Sequence, residues 1–184
     1  MTSNTRKLPN ILITGTPCTG KTTTAKQVCS ELEYNHINIS ELVKEKEFYT
    51  EYDEEYDTFV IDEDPLLDSL EDQMAKGGNI VDYHGCDFFP ERWFDYVIVL
   101  RADNQFLYKR LEKRNYNEKK FKDNLEAEIM QVILDEAYDS YKEEIITVLQ
   151  SDTIEQLEEN VEKIILLIKQ WNKKENEKEQ DEEF

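Results

Sequence analysis

Gly15-Thr16-Pro17-Cys18-Thr19-Gly20-Lys21-Thr22 fits the pattern G-x-x-x-x-G-K-[ST], and its flanks turn the match into a fold prediction. Ile11-Leu12-Ile13 leads in as a short apolar run that reads as a buried strand. Ala25, Val28, Cys29 and Leu32 follow at helical spacing. A strand, a glycine-punctuated loop and a helix in that order aim backbone N–H groups and the positive end of the helix dipole at an anion. Lys21 is then placed to reach the β- and γ-phosphates of a nucleoside triphosphate, and the Thr22 hydroxyl to hold Mg²⁺. Chance supplies the bare pattern in roughly 1% of chains this long. The flanking elements make a glycine turn of no consequence the weaker reading.

Working outward, strands alternate with helices. Tyr34–Ile39 reads as a second strand, with Ser40 capping a helix to about Lys46. Phe48–Phe59 is acidic, tyrosine-rich and poorly periodic, and is read as a mobile insertion. Asp64-Pro65 resembles an N-cap followed by proline at the first helical position, and Gly77-Gly78 ends that helix. Asn79–Tyr83 and Tyr96–Leu100 are the third and fourth strands. Asp103 caps a helix to Arg114, a long helix covers about Phe121–Tyr141, and Ile145–Leu149 is a last strand or a helix end. Thr153-Ile154-Glu155-Gln156 makes a capping box before a final helix, whose core face carries Leu157, Val161, Ile164, Ile165, Ile168 and Trp171. Residues 172–184 are polar and charged, and read as a disordered tail. Five buried strands separated by helices imply an α/β fold, a parallel sheet with helices on both faces.

Composition narrows the function. The 184 residues suit one domain, no apolar run approaches bilayer-spanning length, and residues 1–10 lack a signal-peptide core, so a soluble intracellular protein is expected. Three cysteines without a C-x-x-C pair and two histidines show no zinc-ligand spacing. A net charge of −20 argues against direct nucleic-acid binding, which rests on lysine and arginine, and suggests a basic partner or simple solubility. The charge is uneven. Residues 41–72 hold 14 acids against Lys44 and Lys46, whereas residues 110–122 hold six bases against Glu112 and Glu118. That basic island suits a triphosphate, the alternative being a solvated helix end.

Ile80-Val81-Asp82-Tyr83-His84-Gly85 carries the second chemical signal. An acid leaving a buried strand beside such a loop is the arrangement that holds Mg²⁺ on phosphate oxygens, directly or through water, and Asp82 fits it. His84, two residues on, suits proton transfer or the orienting of a water, or else hydrogen-bonds the loop. The same stretch reads as D-x-x-G, but no N-K-x-D follows and Cys86 stands where a GTPase would place glutamine. A kinase for small acceptors needs a segment for the second substrate and a lid over the phosphates. The insertion after the second strand and the basic turn near Arg114 lie where these belong. Arg114 could stabilise charge on the transferring group, with Arg110 supporting it or stacking on the base.

Pro9-Asn10-Ile11-Leu12-Ile13-Thr14-Gly15-Thr16-Pro17, Tyr52-Asp53-Glu54-Glu55-Tyr56, the run from Ile80 to Phe94, Tyr116-Asn117-Glu118-Lys119-Lys120 and Tyr141-Lys142-Glu143-Glu144-Ile145 together resemble the adenylate kinase isoenzyme 6 family over about residues 8–171. The resemblance implies a P-loop nucleoside monophosphate kinase fold with an acceptor segment over 38–61 and a lid over 113–123. It implies ATP contacts at Cys18, Gly20, Lys21, Thr22, Thr23 and Arg114, and a Walker B role for Asp82 and His84. It also implies ATP:AMP phosphotransfer, ATP hydrolysis, nuclear as well as cytoplasmic residence, and a role in small ribosomal subunit maturation through a basic ribosomal protein. The family usually has glycine where this chain has Cys18, which puts the loop geometry in question. No arginine occurs between Asn38 and Ile61, so Arg92 is the candidate clamp for an AMP phosphate, its alternative being packing against the acidic insertion. An enzyme making ADP and an ATP-driven assembly factor are both consistent with these residues.

Overall fold

Apolar runs with many branched side chains build the central sheet, and the computed structural model describes residues 6–182 around it. The chain runs β1 (Ile11–Thr14), α1 (Lys21–Leu32), β2 (Asn35–Asn38), α2 (Ile39–Lys46), β3 (Tyr49–Asp53), β4 (Thr58–Ile61), α3 (Glu63–Lys76), β5 (Asn79–Asp82), β6 (Tyr96–Arg101), α4 (Asn104–Lys113), α5 (Glu118–Ile129), α6 (Val132–Ser140), β7 (Ile146–Gln150) and α7 (Ile154–Glu182). Five strands form one sheet in the order β2-β5-β1-β6-β7, every neighbour parallel. Helices therefore cover both faces. Ile11, Ile13, Ile80, Ile98 and Leu100 point to the face carrying α1 and α7, with Val28, Val161 and Ile164. Leu12, Val81, Val97 and Val99 point to the other, with Leu66, Leu70, Met74, Trp93 and Ala137. The alternation is the period of two that a strand buried on both faces imposes.

Register brings the chemistry together. Asp82 pairs with Ile13 of β1 on one side and with Asn38 of β2 on the other. The loop after β1, the acid ending β5 and the amide ending β2 thus emerge at the same carboxyl edge, where open α/β sheets place their ligands.

Five segments differ from the sequence reading. The insertion is an antiparallel hairpin, β3 on β4, rather than a loose loop. Its signal was aromatic: the Phe59 ring lies 4.3 Å from Tyr49 and 5.1 Å from Tyr52. The long helix is two helices. Gln131, at φ 60°, breaks it without glycine or proline, because α5 leans over the loops while α6 lies against the sheet. Helix α2 is capped two residues earlier than expected, by the Asn38 side chain accepting from the Glu41 N–H, and α3 begins at Glu63 with Pro65 inside its first turn, where no N–H is needed. The segment read as a disordered tail continues α7 to Glu182, in keeping with a Glu-, Lys- and Gln-rich stretch lacking glycine and proline; residues 183–184 lie outside the described residues.

The hairpin rests on the Phe59 contacts, each aromatic pair contributing about 0.5–1.5 kcal/mol. Phe59→Ala is expected to raise the rate of limited proteolysis between residues 49 and 61 about tenfold while the global urea transition moves little. Unchanged cleavage would show that the hairpin is held elsewhere.

Candidate active site

The loop Gly15–Thr22 closes around its own lysine. Lys21 Nζ donates to Gly15 O at 2.8 Å and to Thr16 O at 3.0 Å. Burial pulls the ammonium down to about 8, against the attraction of Asp82, Cys18 and Glu128. Gly15 (φ 145°) has no room for a side chain, since a Cβ there would stand 2.4 Å from Leu100 O. Gly20 caps α1 with φ 93°. Cys18 also has positive φ, at 72°, the conformation in which glycine is easiest. Burial raises its thiol above the ordinary value, with Arg114, Lys21 and Arg110 opposing.

Asp82 is 3% exposed and held from three sides. Its Oδ1 accepts from the Thr22 hydroxyl at 3.0 Å. Its Oδ2 lies 2.5 Å from His36 Nε2 and accepts from Asn38 Nδ2 at 3.2 Å. A hydroxyl and a carboxylate at hydrogen-bond distance form a hard oxygen donor pair that fits Mg²⁺. Sequence reasoning had Thr22 and Asp82 but not His36 or Asn38. Both lie on β2, two residues apart and hence on one side of the strand, a pattern informative only once β2 is known to neighbour β5.

A cleft of about 1020 Å³ opens here. Cys18, Gly20, Lys21, Thr22, Thr23 and Arg114 line one half, Ser40, Lys44, Tyr52 and Phe59 the other, with Asp82 and His84 among the lining and Lys120 from α5. The roof is a contact between the hairpin and α5. Tyr56 donates to Asp123 at 2.8 Å, Lys119 pairs with Glu55, and Lys120 Nζ donates to Asp57 O at 3.0 Å. Burial, with Lys21 and Lys120 nearby, lowers the His84 imidazole to about 4, so it is neutral near pH 7, able to accept a hydrogen bond but unwilling to hold a proton.

Three expected ligand residues, Gly15, Arg110 and Arg92, do not line the cleft. Arg110 donates to Cys18 O (3.3 Å), Ser151 O (2.8 Å) and Asp152 O (2.5 Å), bracing the phosphate loop against the turn after β7. Arg92 sits in the turn Glu91–Trp93, pairs with Glu71 of α3 at 2.6 Å and keeps its side chain 64% exposed. From the acidic segment it is Lys44, one of its two bases, that lines the cleft.

A parallel sheet, a phosphate-binding loop, a strand-end carboxylate and a roofed two-sided cleft define a P-loop kinase acting on nucleotides. The family model for an AAA domain matches residues 11–131. The chain is 56% identical to an adenylate kinase isoenzyme 6 homolog of Dictyostelium discoideum, over 93% of this chain and 98% of that protein. It is 50% identical to the homolog of Caenorhabditis elegans, over 89% of this chain and 91% of that one. A shikimate kinase from Bacteroides thetaiotaomicron superposes with a TM-score of 0.60 at 17% identity, covering 88% of this chain and 99% of the other, and so shares the fold. The chain belongs to the adenylate kinase isoenzyme 6 family.

A non-glycine residue in the left-handed region costs about 1–2 kcal/mol, from which the greater chain entropy of glycine subtracts about 0.5–1 kcal/mol. Cys18→Gly should therefore raise the unfolding free energy by about 0.5–1 kcal/mol in urea titrations; an unchanged or lower midpoint would contradict the strain. Between about pH 6.5 and about pH 4 the unfolded chain binds a proton at His84 that the folded chain refuses, so stability falls as pH drops through that window. Thermal midpoints of His84→Asn against pH should show a shallower slope there than wild type.

Proposed function

We propose that this kinase transfers the γ-phosphoryl group of Mg·ATP to AMP, giving two ADP, and hydrolyses ATP slowly when no acceptor is bound. The two-sided cleft carries this reading: the phosphate loop lies on one wall, Lys44, Tyr52 and Phe59 on the other, and hairpin and lid meet above. Donor phosphates would lie on the α1 N-terminus with Lys21, and the acceptor phosphate would face Lys44 and Lys120. Thr22 and Asp82 would hold Mg²⁺, directly or through water; when bound, the ion neutralises charge spread over the phosphate oxygens. Lys21 and Arg114 would stabilise the charge that develops on the transferring group. His36 and Asn38 keep Asp82 oriented, and the Tyr56–Asp123 roof would exclude water. A neutral His84 would accept a hydrogen bond from the attacking hydroxyl or from a water. Residues 38–61 form the acceptor segment and 113–123 the lid in this reading.

The second reading, an ATP-driven assembly factor, draws support from the acceptor wall, where lysine and no arginine lines the cleft. Under it, the acids of residues 41–72 would shield a basic small-subunit ribosomal protein, and the chain would act in the nucleus and cytoplasm during small ribosomal subunit maturation. ADP formation from Mg·ATP, measured with and without AMP, separates the two. Phosphotransfer predicts a clear AMP-dependent rise, and a Lys21→Ala enzyme slower by about 10²–10³-fold. A rate indifferent to AMP would leave the assembly factor.

A further inference from the structure

Among the described residues two acids are buried, Asp82 and Glu128, and only Asp82 lines the cleft. Glu128 is 2% exposed at the end of α5. An enclosed carboxylate is costly unless charge and hydrogen bonds compensate it. Here the compensation is complete and comes from separate elements. Oε1 accepts from Arg101 Nε at 2.5 Å and from the Ala102 N–H at 3.1 Å, the last residue of β6 and the one after it. Oε2 accepts from the Thr16 hydroxyl, inside the phosphate loop, at 2.5 Å. The Glu128 backbone carbonyl accepts from Arg101 Nη2 at 3.0 Å, fixing the helix end as well as the side chain. Thr16 is itself a junction, for its carbonyl accepts from Lys21 Nζ and from the Thr19 hydroxyl.

We propose that Glu128 is a positioning residue for phosphoryl transfer: through Thr16 it sets the carbonyl that holds Lys21, and it ties the base of the lid helix to the phosphate loop. The placement of Glu128 follows from the break at Gln131. Helix α5 stops right after Glu128, so its last turn enters the loop instead of continuing along the sheet with α6. Core packing does not require a carboxylate at this point, since apolar residues of similar volume often replace a buried ion pair without loss. What an apolar residue cannot do is fix the Thr16 hydroxyl, and with it the rotation of the peptide whose oxygen meets Lys21.

The proposal rests on Lys21 acting on the phosphates, and the test separates the two. Thr16→Val removes the hydroxyl and leaves the Arg101–Glu128 pair intact; Glu128→Gln keeps the shape and removes the charge. Initial rates of ADP formation from Mg·ATP and AMP are measured for both, with thermal midpoints alongside and hydrolysis without AMP as the readout if water is the acceptor. Misplacing a reacting group by a fraction of an ångström predicts a kcat about tenfold lower in both variants, with the KM for AMP within about twofold of wild type. Thr16→Ser, which restores the hydroxyl, should recover at least about half of the rate lost, because the same hydrogen bond re-forms. If Thr16→Val keeps wild-type kcat, or loses rate only in proportion to unfolded protein, Glu128 is a structural brace and the proposal fails. A Lys21→Ala enzyme as active as wild type would overturn the reading of the loop, and the proposal with it. An inactive Lys21→Ala beside a fully active Thr16→Val would overturn the proposal alone.

Discussion

One enclosed positive charge organises this molecule. The Lys21 ammonium is surrounded by carbonyls of its own loop, with Asp82 and Glu128 as its main acidic neighbours. Burial still pulls it down to about 8, so the protein alone under-compensates the charge. A triphosphate is the anion that would supply the remainder. The requirements of that lysine reach outward: Gly15 must lack a side chain to turn its carbonyl inward against β6, and Thr16 must be held. Asp82 must be oriented by β2 without being neutralised by a close arginine.

Strain and electrostatics meet at the same loop. Cys18 accepts a left-handed backbone, and its carbonyl is held by Arg110, which also grips the turn after β7. Such over-determination is how a strained residue persists. Arg110 therefore braces the loop. Gln131 is left-handed too, and its geometry divides one stretch of helical sequence into α5 and α6.

The acidity of the chain is also structured. Within residues 41–72, Glu55 of the hairpin pairs with Lys119 of α5, and the Asp57 backbone carbonyl accepts from Lys120. Part of the uneven charge visible in the sequence is thus paired internally, between the hairpin and α5 above the cleft. Exposed pairs of this kind contribute little to stability and are screened by salt.

Much of this was legible in the sequence, because it depends on local rules. The three central strands follow from short apolar runs, the phosphate loop from glycine spacing, and the strand-end acid from its place after Ile80-Val81. What sequence order could not supply is adjacency between distant segments. His36 and Asn38 matter because β2 lies beside β5, and Glu128 because α5 ends against the loop, 112 residues away from Thr16. Arg92 and Arg110 resembled ligands by type, yet Glu71 and three backbone carbonyls hold them elsewhere. The hairpin and the break at Gln131 were missed for a related reason: aromatic contacts across strands and packing on two different surfaces outweigh weak local preferences. Sequence alone determined the sheet, the loop and the chemistry of its lysine and acid, since hydrophobic period and backbone sterics act between near neighbours. Tertiary structure alone decided which distant side chains hold them, because burying a charge forces partners together wherever in the chain they lie.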